Sequence, residues 1–226
     1  SRAGKHAQAF LGEWKGALMV DDYVGYKALF ATGITELACW AHARRVFFDA
    51  HKASASPLAE EALRRMGEFY AIAATLRGLD DATRSIERKH RLGAWLAVFK
   101  HWLDAAQAQT LGNSGVRKAI EYTQRRWPAL ARVIEDDAYP IDNNPIENAI
   151  RPIAVGRKNW LFAGSETAGQ RAAAIMSLIA TAKANGIEPH AWLTDVLTRL
   201  PTTKDRDIAT LLPLADYRFT AQGEVG

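Results

Sequence analysis

Cysteine is nearly absent from this sequence, with Cys39 as its single member. One thiol cannot form an internal disulfide, so disulfide-stapled secreted proteins are excluded and a reducing, cytoplasmic environment is expected. Long hydrophobic runs are absent as well: the longest nearly apolar run, residues 172–182, is too short to cross a bilayer. Residues 1–16 also lack the basic-then-apolar order of a signal peptide. These absences predict a cytoplasmic protein with no membrane partner.

A strong charge of either sign is lacking too. Lys and Arg number 29 against 25 Asp and Glu, a formal net charge of +4. This excess is compatible with a polyanionic partner but is too small to establish one, so function must be argued from motifs. Hydrophobic residues make up 48% and charged residues 24%, the balance of a globular protein with a substantial core. Because the first residue is not methionine, we interpret the sequence as a segment of a longer protein.

What the sequence does contain is a change of pattern along its length. Two short apolar runs, residues 16–20 and 34–40, have the length of buried strands, with a one- or two-turn helix between them. From about residue 50 to residue 138, helical periodicity replaces the strand pattern. The clearest helix there begins at Ser56-Pro57, a capping hydroxyl followed by proline at the first helical position. The fold class predicted is α/β, predominantly helical overall.

This change of pattern predicts four segments along the chain. They are an α/β segment (1–49), a helical block (50–138), a further helical segment (139–200) and a tail (201–226). In the third segment a helix begins at Asn144, and Pro152 is expected to bend or end it. Pro128 is likewise expected to kink or restart the helix in which it lies.

Two acidic residues stand out because of their settings. Asp21 directly follows the first predicted strand, and Glu147 lies in the first turn of a helix that follows a polar loop. Carboxylates from separate elements can converge on two divalent cations, which about 3.5–4 Å apart stabilise an in-line phosphoryl displacement. Mg²⁺ suits such a site because it prefers oxygen ligands and needs few from the protein. Capping roles are equally available, since Asn144 and Glu147 fit a capping box and Asp21 or Asp22 can cap the next helix.

Cys39 and His42 have the spacing of zinc ligands. A structural zinc site needs four such ligands, and the sequence holds no second cysteine. We therefore expect a buried thiol and a hydrogen-bonded imidazole at the junction between the second strand and the helix that follows.

Basic residues occur in pairs close to aromatic ones. The pairs at 44–45 and 125–126 are interpreted as solvated faces of helices. Arg157 and Lys158 differ because they follow Glu147 closely along the chain. We expect this last pair to contact the phosphates of DNA held at the acidic site.

Four motifs, taken in order, carry a resemblance to a known family. They are Val20-Asp-Asp-Tyr-Val-Gly-Tyr26, Cys39-Trp-Ala-His-Ala-Arg-Arg45, Asn143-Asn-Pro-Ile-Glu-Asn-Ala-Ile-Arg-Pro152 and Gly156-Arg-Lys-Asn-Trp160. Together they resemble the bacterial insertion-sequence 66 family of DDE-type transposases, and the resemblance extends into the tail at residues 207–214. The collinear order of the motifs is far more specific than any one of them.

The resemblance implies a partial ribonuclease-H-like core with a large all-helical insertion between its second and third acidic residues. Asp21 is then the second acidic residue and Glu147 the third, while Asp22 occupies a position where the family has glycine. The first catalytic aspartate is expected upstream of residue 1, so this chain carries two of three metal ligands and is expected to be inactive alone. Cys39 and His42 match a cysteine-x-x-histidine pattern, for which we expect a structural or DNA-proximal role.

The function that the resemblance implies is hydrolysis of phosphodiester bonds at transposon ends followed by strand transfer, with two Mg²⁺ or Mn²⁺ ions as cofactors. Its partners are then DNA, further copies of the same protein in a synaptic complex, and accessory proteins, near the bacterial nucleoid. Arg151, one turn after Glu147, is expected to orient that carboxylate or to touch a phosphate, and Arg157 and Lys158 to hold the DNA backbone. Two alternatives stay open: a DNA-binding fragment without catalysis, and a helical interaction protein in which both carboxylates are caps.

Overall fold

A computed structural model describes residues 4–110, 112–160 and 164–220, with the side chains of 157–160 left out. The chain forms two compact units, Ser1–Pro152 and Ile153–Gly226. Within the described ranges, no helix combines the length and the apolar character that a membrane crossing requires.

The first unit opens with the predicted strands. Its elements are α1 (Gly4–Leu11), β1 (Ala17–Val20), a 3₁₀ turn (Val24–Tyr26) that runs into α2 (Lys27–Phe30), and β2 (Thr35–Ala38). The two strands pair in parallel, with Ala17 opposite Thr35 and Val20 opposite Ala38. A parallel pair needs a connection that crosses over, and the turn and α2 provide it.

A run of helices follows the two strands. Its helices are α3 (Trp40–Ser54), α4 (Pro57–Leu76), α5 (Asp81–Glu87), α6 (Gly93–Ala108) and α7 (Gly115–Ala131), with a π-helical segment at Arg88–Leu92 and a 3₁₀ turn at Arg132–Ile134. Helix α4 begins where the sequence predicts, because the Ser56 hydroxyl accepts a hydrogen bond from the amide of Ala59 and Pro57 occupies the first helical position. The chain is therefore predominantly helical with a small parallel sheet.

Trp40 lies at the centre of the core of the first unit. Its side chain is fully buried, and its ring centroid lies 4.7 Å from that of Phe69 and 5.4 Å from that of Trp95. Its indole Nε1 donates a hydrogen bond to the carbonyl oxygen of Leu130 at 3.1 Å. A buried aromatic cluster of this kind supplies much apolar area, and Trp40 joins α3 to the helices packed around it.

Two prolines lie inside helices that continue past them. Pro128 is within α7, which runs on to Ala131, and Pro152 is within α8 (Asn144–Trp160). Neither helix ends at its proline, and the alternatives, a bend at Pro152 and a kink at Pro128, stay predictions. In α7 the burial of Ala129 and Leu130 beyond the proline offsets the lost backbone hydrogen bond.

The second unit has a small core of its own. It contains α9 (Glu166–Ala184), α10 (Pro189–Arg199) and 3₁₀ segments at Leu200–Thr202 and Asp205–Leu211. Trp192 packs with Ala182 and Tyr217, and its Nε1 donates a hydrogen bond to the carbonyl oxygen of Leu211 at 3.1 Å.

A buried carboxylate connects the tail of the second unit to α10. Asp195 is 5% exposed, accepts hydrogen bonds from the hydroxyls of Tyr217 and Thr220, and pairs with Arg199 at 2.9 Å. Burial by itself raises the pKa of Asp195, but the hydrogen bonds from these three partners outweigh it and lower the pKa to about 2. The ionised carboxylate therefore stabilises the folded tail.

Asp195→Asn is expected to destabilise the second unit at neutral pH by about 2 kcal/mol and to change little near pH 2. The pKa in the folded state lies below its ordinary value of 3.8, so the stabilisation is complete above that value and is lost as the pH falls towards 2. Thermal unfolding of both proteins from about pH 7 to about pH 2 measures the difference. The exposed Asp216→Asn serves as the control, and a destabilisation that does not change with pH would contradict the prediction.

Candidate functional site

The parallel register brings two motif residues to the same edge of the sheet. Asp21 directly follows β1, and Cys39 directly follows β2. The last residues of the two strands, Val20 and Ala38, are partners in the sheet. The carboxyl ends of parallel strands lie at the same edge, which is where ligands commonly bind in parallel sheets. The sequence predicted the two strands, and their pairing places Asp21 beside the start of α3.

Cys39 connects this edge to the loop before α8. Its thiol is buried and donates a hydrogen bond to Oδ1 of Asn143 at 2.9 Å, and the amide of Asn143 donates to Sγ at 3.4 Å. Burial raises the pKa of the Cys39 thiol, which keeps it protonated and able to donate. The amide of Trp40 adds a hydrogen bond to the carbonyl oxygen of Ile141 at 3.0 Å. Residues 104 positions apart in sequence are thereby held together.

Asp142 organises the start of α8, a role that the sequence analysis missed. Its carboxylate is buried and accepts hydrogen bonds from the amide of Asn144 at 3.1 Å, from the side chain of Asn144 at 3.0 Å and from the Tyr70 hydroxyl at 3.1 Å. Burial raises the pKa of Tyr70, and the neighbouring carboxylate raises it further. An aspartate two positions before a predicted helix is a local pattern that could have identified the cap.

Glu147 lies in the first turn of α8, as predicted, and its side chain is 37% exposed. The capping-box alternative requires its carboxylate to bind a backbone amide. Its Oε1 instead lies 3.5 Å from Nε2 of His42, in the first turns of α3. The contact therefore joins α3, which follows β2, to the first turn of α8. Nδ1 of His42 is buried without a hydrogen-bond partner in the part of the chain described.

Asp21 and Glu147 line one cavity of about 460 Å³. Asp142 and Asn143 also line it, and the rest of the wall is largely apolar, formed by Met19, Val20, Tyr26, Pro140, Pro145, Ile146 and Ile150. Oδ1 of Asp21 accepts a hydrogen bond from the amide of Tyr23 at 3.2 Å, but no side chain among the described residues caps the 3₁₀ turn that follows. That bond engages one of the two carboxylate oxygens and leaves the other with acceptor capacity.

The two adjacent aspartates have different surroundings. Asp22 has a φ of 75°, in the left-handed region, and its carboxylate lies 3.2 Å from Nη1 of Arg126 and 3.4 Å from Nη2 of Arg125. Aspartate tolerates this conformation better than most residues, and glycine adopts it freely. Asp21 therefore lies with Glu147, whereas Asp22 pairs with α7.

The burial of Arg126 shows that the interpretation of residues 125–126 as a solvated helix face is wrong for Arg126. Its side chain is 7% exposed and is bound to Asp22 and to Glu36 of β2, while Arg125 is exposed. Helical spacing could have shown this, because Arg126 follows the buried Ala119 by seven positions and Thr123 by three.

The predicted basic residues on α8 are described unequally. Arg151 is exposed one turn after Glu147, and the contact of the Glu147 carboxylate at 3.5 Å is with His42. Arg157 and Lys158 belong to the helix, but their side chains lie outside the described residues. Contacts of these three residues with DNA therefore stay predictions.

An aspartate at the carboxyl end of a parallel strand and a helix-borne glutamate thus line one cavity. A family model described as "Transposase IS66 family" matches residues 1–171, and one described as "IS66 C-terminal element" matches residues 177–214. The chain belongs to the IS66 family of transposases.

Curated relatives extend well beyond the region that they share with this chain. The protein y4hP of Sinorhizobium fredii (strain NBRC 101917 / NGR234) is 34% identical over 237 residues, which covers 97% of this chain and 43% of y4hP. The protein y4qI of the same strain is 38% identical over 199 residues, 84% of this chain and 37% of y4qI. YjgZ of Escherichia coli (strain K12) is 61% identical over 33 residues, 15% of this chain and 30% of YjgZ. The chain thus spans less than half the length of these relatives. No solved structure matches it significantly.

Proposed function

We propose that this chain is part of the catalytic region of a DDE transposase, which hydrolyses phosphodiester bonds at transposon ends and joins the freed 3′-hydroxyls to target DNA. The observation that carries the proposal is the shared cavity of Asp21 and Glu147. These two residues occupy the motif positions that the family resemblance assigns to the second and third catalytic carboxylates. They come from separate elements, as convergence on metal ions requires.

The sheet supports a ribonuclease-H-like core as the setting of this site. β1 and β2 are parallel, Asp21 lies at their carboxyl edge, and α3 to α7 separate them from Glu147 in sequence. This order is the one expected of such a core with a helical insertion after its second acidic residue. The proposal keeps the four predicted segments, with 50–138 as that insertion.

The donors in the cavity suit a hard divalent cation. Asp21 and Glu147 offer carboxylate oxygens, and Mg²⁺ keeps several of its waters, so two protein ligands are a useful partial set. In the described ranges, no group of three His, Cys, Asp or Glu side chains is arranged to hold a metal ion. The family resemblance assigns the third carboxylate to a position upstream of this sequence, and that assignment stays a prediction.

Each residue at the site has a proposed role. Bound Mg²⁺ or Mn²⁺ ions would stabilise the attacking and leaving oxygens of an in-line substitution at phosphorus. Asp21 would hold one or both ions, Glu147 would complete the second position, and His42 would orient Glu147 through Nε2. Cys39 would hold the loop before α8 through its hydrogen bonds with Asn143.

DNA is the proposed partner, and basic side chains on α8 are its proposed contacts. Arg151, Arg157 and Lys158 follow Glu147 on the same helix and carry the charge that phosphates require. We also propose that the protein acts in a synaptic complex with further copies of itself and with accessory proteins, at the bacterial nucleoid.

The two adjacent aspartates allow a matched test of the catalytic assignment. In a full-length transposase that contains this region, Asp21→Asn is expected to abolish Mn²⁺-dependent strand transfer. Asp22→Asn is expected to keep at least about a tenth of it, because Asp22 pairs with Arg126 rather than facing the cavity. The assay joins a labelled transposon end to a supercoiled target. Full activity in Asp21→Asn, or loss confined to Asp22→Asn, would overturn the assignment.

A further inference from the structure

The buried guanidinium of Arg126 connects the helical block to the edge of the sheet at which Asp21 lies. Nη1 of Arg126, on α7, contacts Oδ1 of Asp22 at 3.2 Å and also Oε1 of Glu36. Asp22 follows β1 and Glu36 lies in β2, so a single side chain joins both strands to the insertion. Arg132 adds a hydrogen bond from its Nη1 to the carbonyl oxygen of Glu36 at 2.7 Å.

We propose that Arg126 is a positioning residue for Asp21, an inference that rests on the proposed function. Asp21 lines the cavity, and its neighbour Asp22 is bound to Arg126. An ion pair that holds Asp22 therefore fixes the peptide from which Asp21 projects.

The backbone at Asp22 needs such a restraint. A φ of 75° is uncommon for a residue other than glycine, although aspartate adopts it more readily than most, and contacts around the residue help to hold it. The bond from Arg126 to the Asp22 carboxylate is a contact of this kind. Glycine adopts such a φ freely, whereas here the ion pair with Arg126 holds the aspartate in place.

Stability alone is a poor explanation for a buried arginine at this position. Its Nε and Nη2 atoms are buried without hydrogen-bond partners among the described residues, and unpaired buried donors are costly. An apolar side chain of similar size often serves stability as well as a buried ion pair does. An apolar side chain could not hold the carboxylates of Asp22 and Glu36 in fixed positions, as Arg126 does.

The test is hydrogen exchange by mass spectrometry on peptides that span residues 20–26, measured on this chain without metal. The amide of Tyr23, which donates to Asp21, lies in these peptides and reports directly on its geometry. Arg126→Met and Asp22→Asn are each expected to speed exchange there about tenfold, with little change in peptides from α4 and α6. Asp22→Asn leaves the pair of Arg126 with Glu36 in place, so the test holds even if Arg126→Met folds poorly.

Arg125→Met is the matched control. Arg125 is the preceding residue on the same helix and also approaches Asp22, at 3.4 Å, but its side chain is 62% exposed. An exposed ion pair contributes little, so exchange in residues 20–26 is expected to stay within about twofold of the wild type. The double variant Arg126→Met/Asp22→Asn is expected to exchange no faster than Arg126→Met alone, because Arg126→Met already removes the pair with Asp22. Arg126→Lys, which keeps the charge, is expected to restore part of the protection.

Mn²⁺ titration of the same variants forms the second arm, in which Arg126→Met is expected to weaken binding about fivefold. Exchange that is fast only in residues 20–26, together with weaker Mn²⁺ binding, supports the proposal. Unchanged exchange in these residues, or equal acceleration throughout the helices, overturns it. If the wild type does not bind Mn²⁺, that result counts against the proposed function. The hydrogen exchange measured without metal still tests whether Arg126 positions Asp21.

Discussion

Glu147→Gln is expected to reduce strand transfer by at least about a thousandfold in a full-length transposase that contains this region. The amide keeps the shape of the side chain but removes the negative charge that would hold a cation. Metal stabilisation of the transition state is worth several kcal/mol, and about 4 kcal/mol corresponds to a thousandfold in rate. The measurement is the yield of joined product with a labelled transposon end and Mn²⁺.

DNA binding separates a catalytic defect from a structural one in this variant. Fluorescence anisotropy with the same transposon end is expected to give a dissociation constant within about twofold of the wild type, because binding depends on basic side chains. Glu135→Gln makes the same chemical change at a side chain that is 58% exposed, and it should affect neither assay. Loss of DNA binding on the scale of the lost activity would contradict the role given to Glu147.

Trp40→Ala is expected to lower the free energy of unfolding of the first unit by about 3–5 kcal/mol. The substitution leaves a large cavity among Phe69, Trp95 and Phe99, and it leaves the carbonyl oxygen of Leu130 without its indole donor. Domains are stable by only about 5–15 kcal/mol in total, so a loss of this size removes much of the margin. Chemical denaturation followed by circular dichroism measures it.

Trp102→Ala provides the comparison for Trp40→Ala. Trp102 stacks on Phe99 with ring centroids 5.5 Å apart but is only partly buried, at the margin of the same core. The same change of side chain should therefore cost clearly less stability. Equal destabilisation by the two substitutions would contradict the central place given to Trp40.

Local patterns predicted the elements of the fold better than the contacts between them. The start of α4 followed from Ser56 and Pro57, because capping and proline geometry act within one turn. The two strands were also predicted, but their parallel register depends on hydrogen bonds between distant segments, which leave no local pattern. Helix α8 continues past Pro152, an outcome that the proline by itself does not predict.

At the candidate site, the sequence predicted the residues but not their partners. Asp21 and Glu147 followed from their settings and from the family motifs, and the structure brings both to one cavity. The contact of His42 with Glu147 joins α3 to α8, a pairing that depends on packing through the helical block. The burial of Arg126 is indicated by its helical spacing from Ala119 and Thr123, whereas the basic pair 125–126 by itself indicates a solvated face.

The most direct test of the central claim is isothermal calorimetry of this chain with Mn²⁺, repeated for Asp21→Ala and Glu147→Ala. If the two carboxylates converge on a cation, the wild type binds Mn²⁺ weakly and each substitution removes the binding. Binding that survives both substitutions, or no binding by the wild type at millimolar metal, would contradict the claim that Asp21 and Glu147 form one metal site.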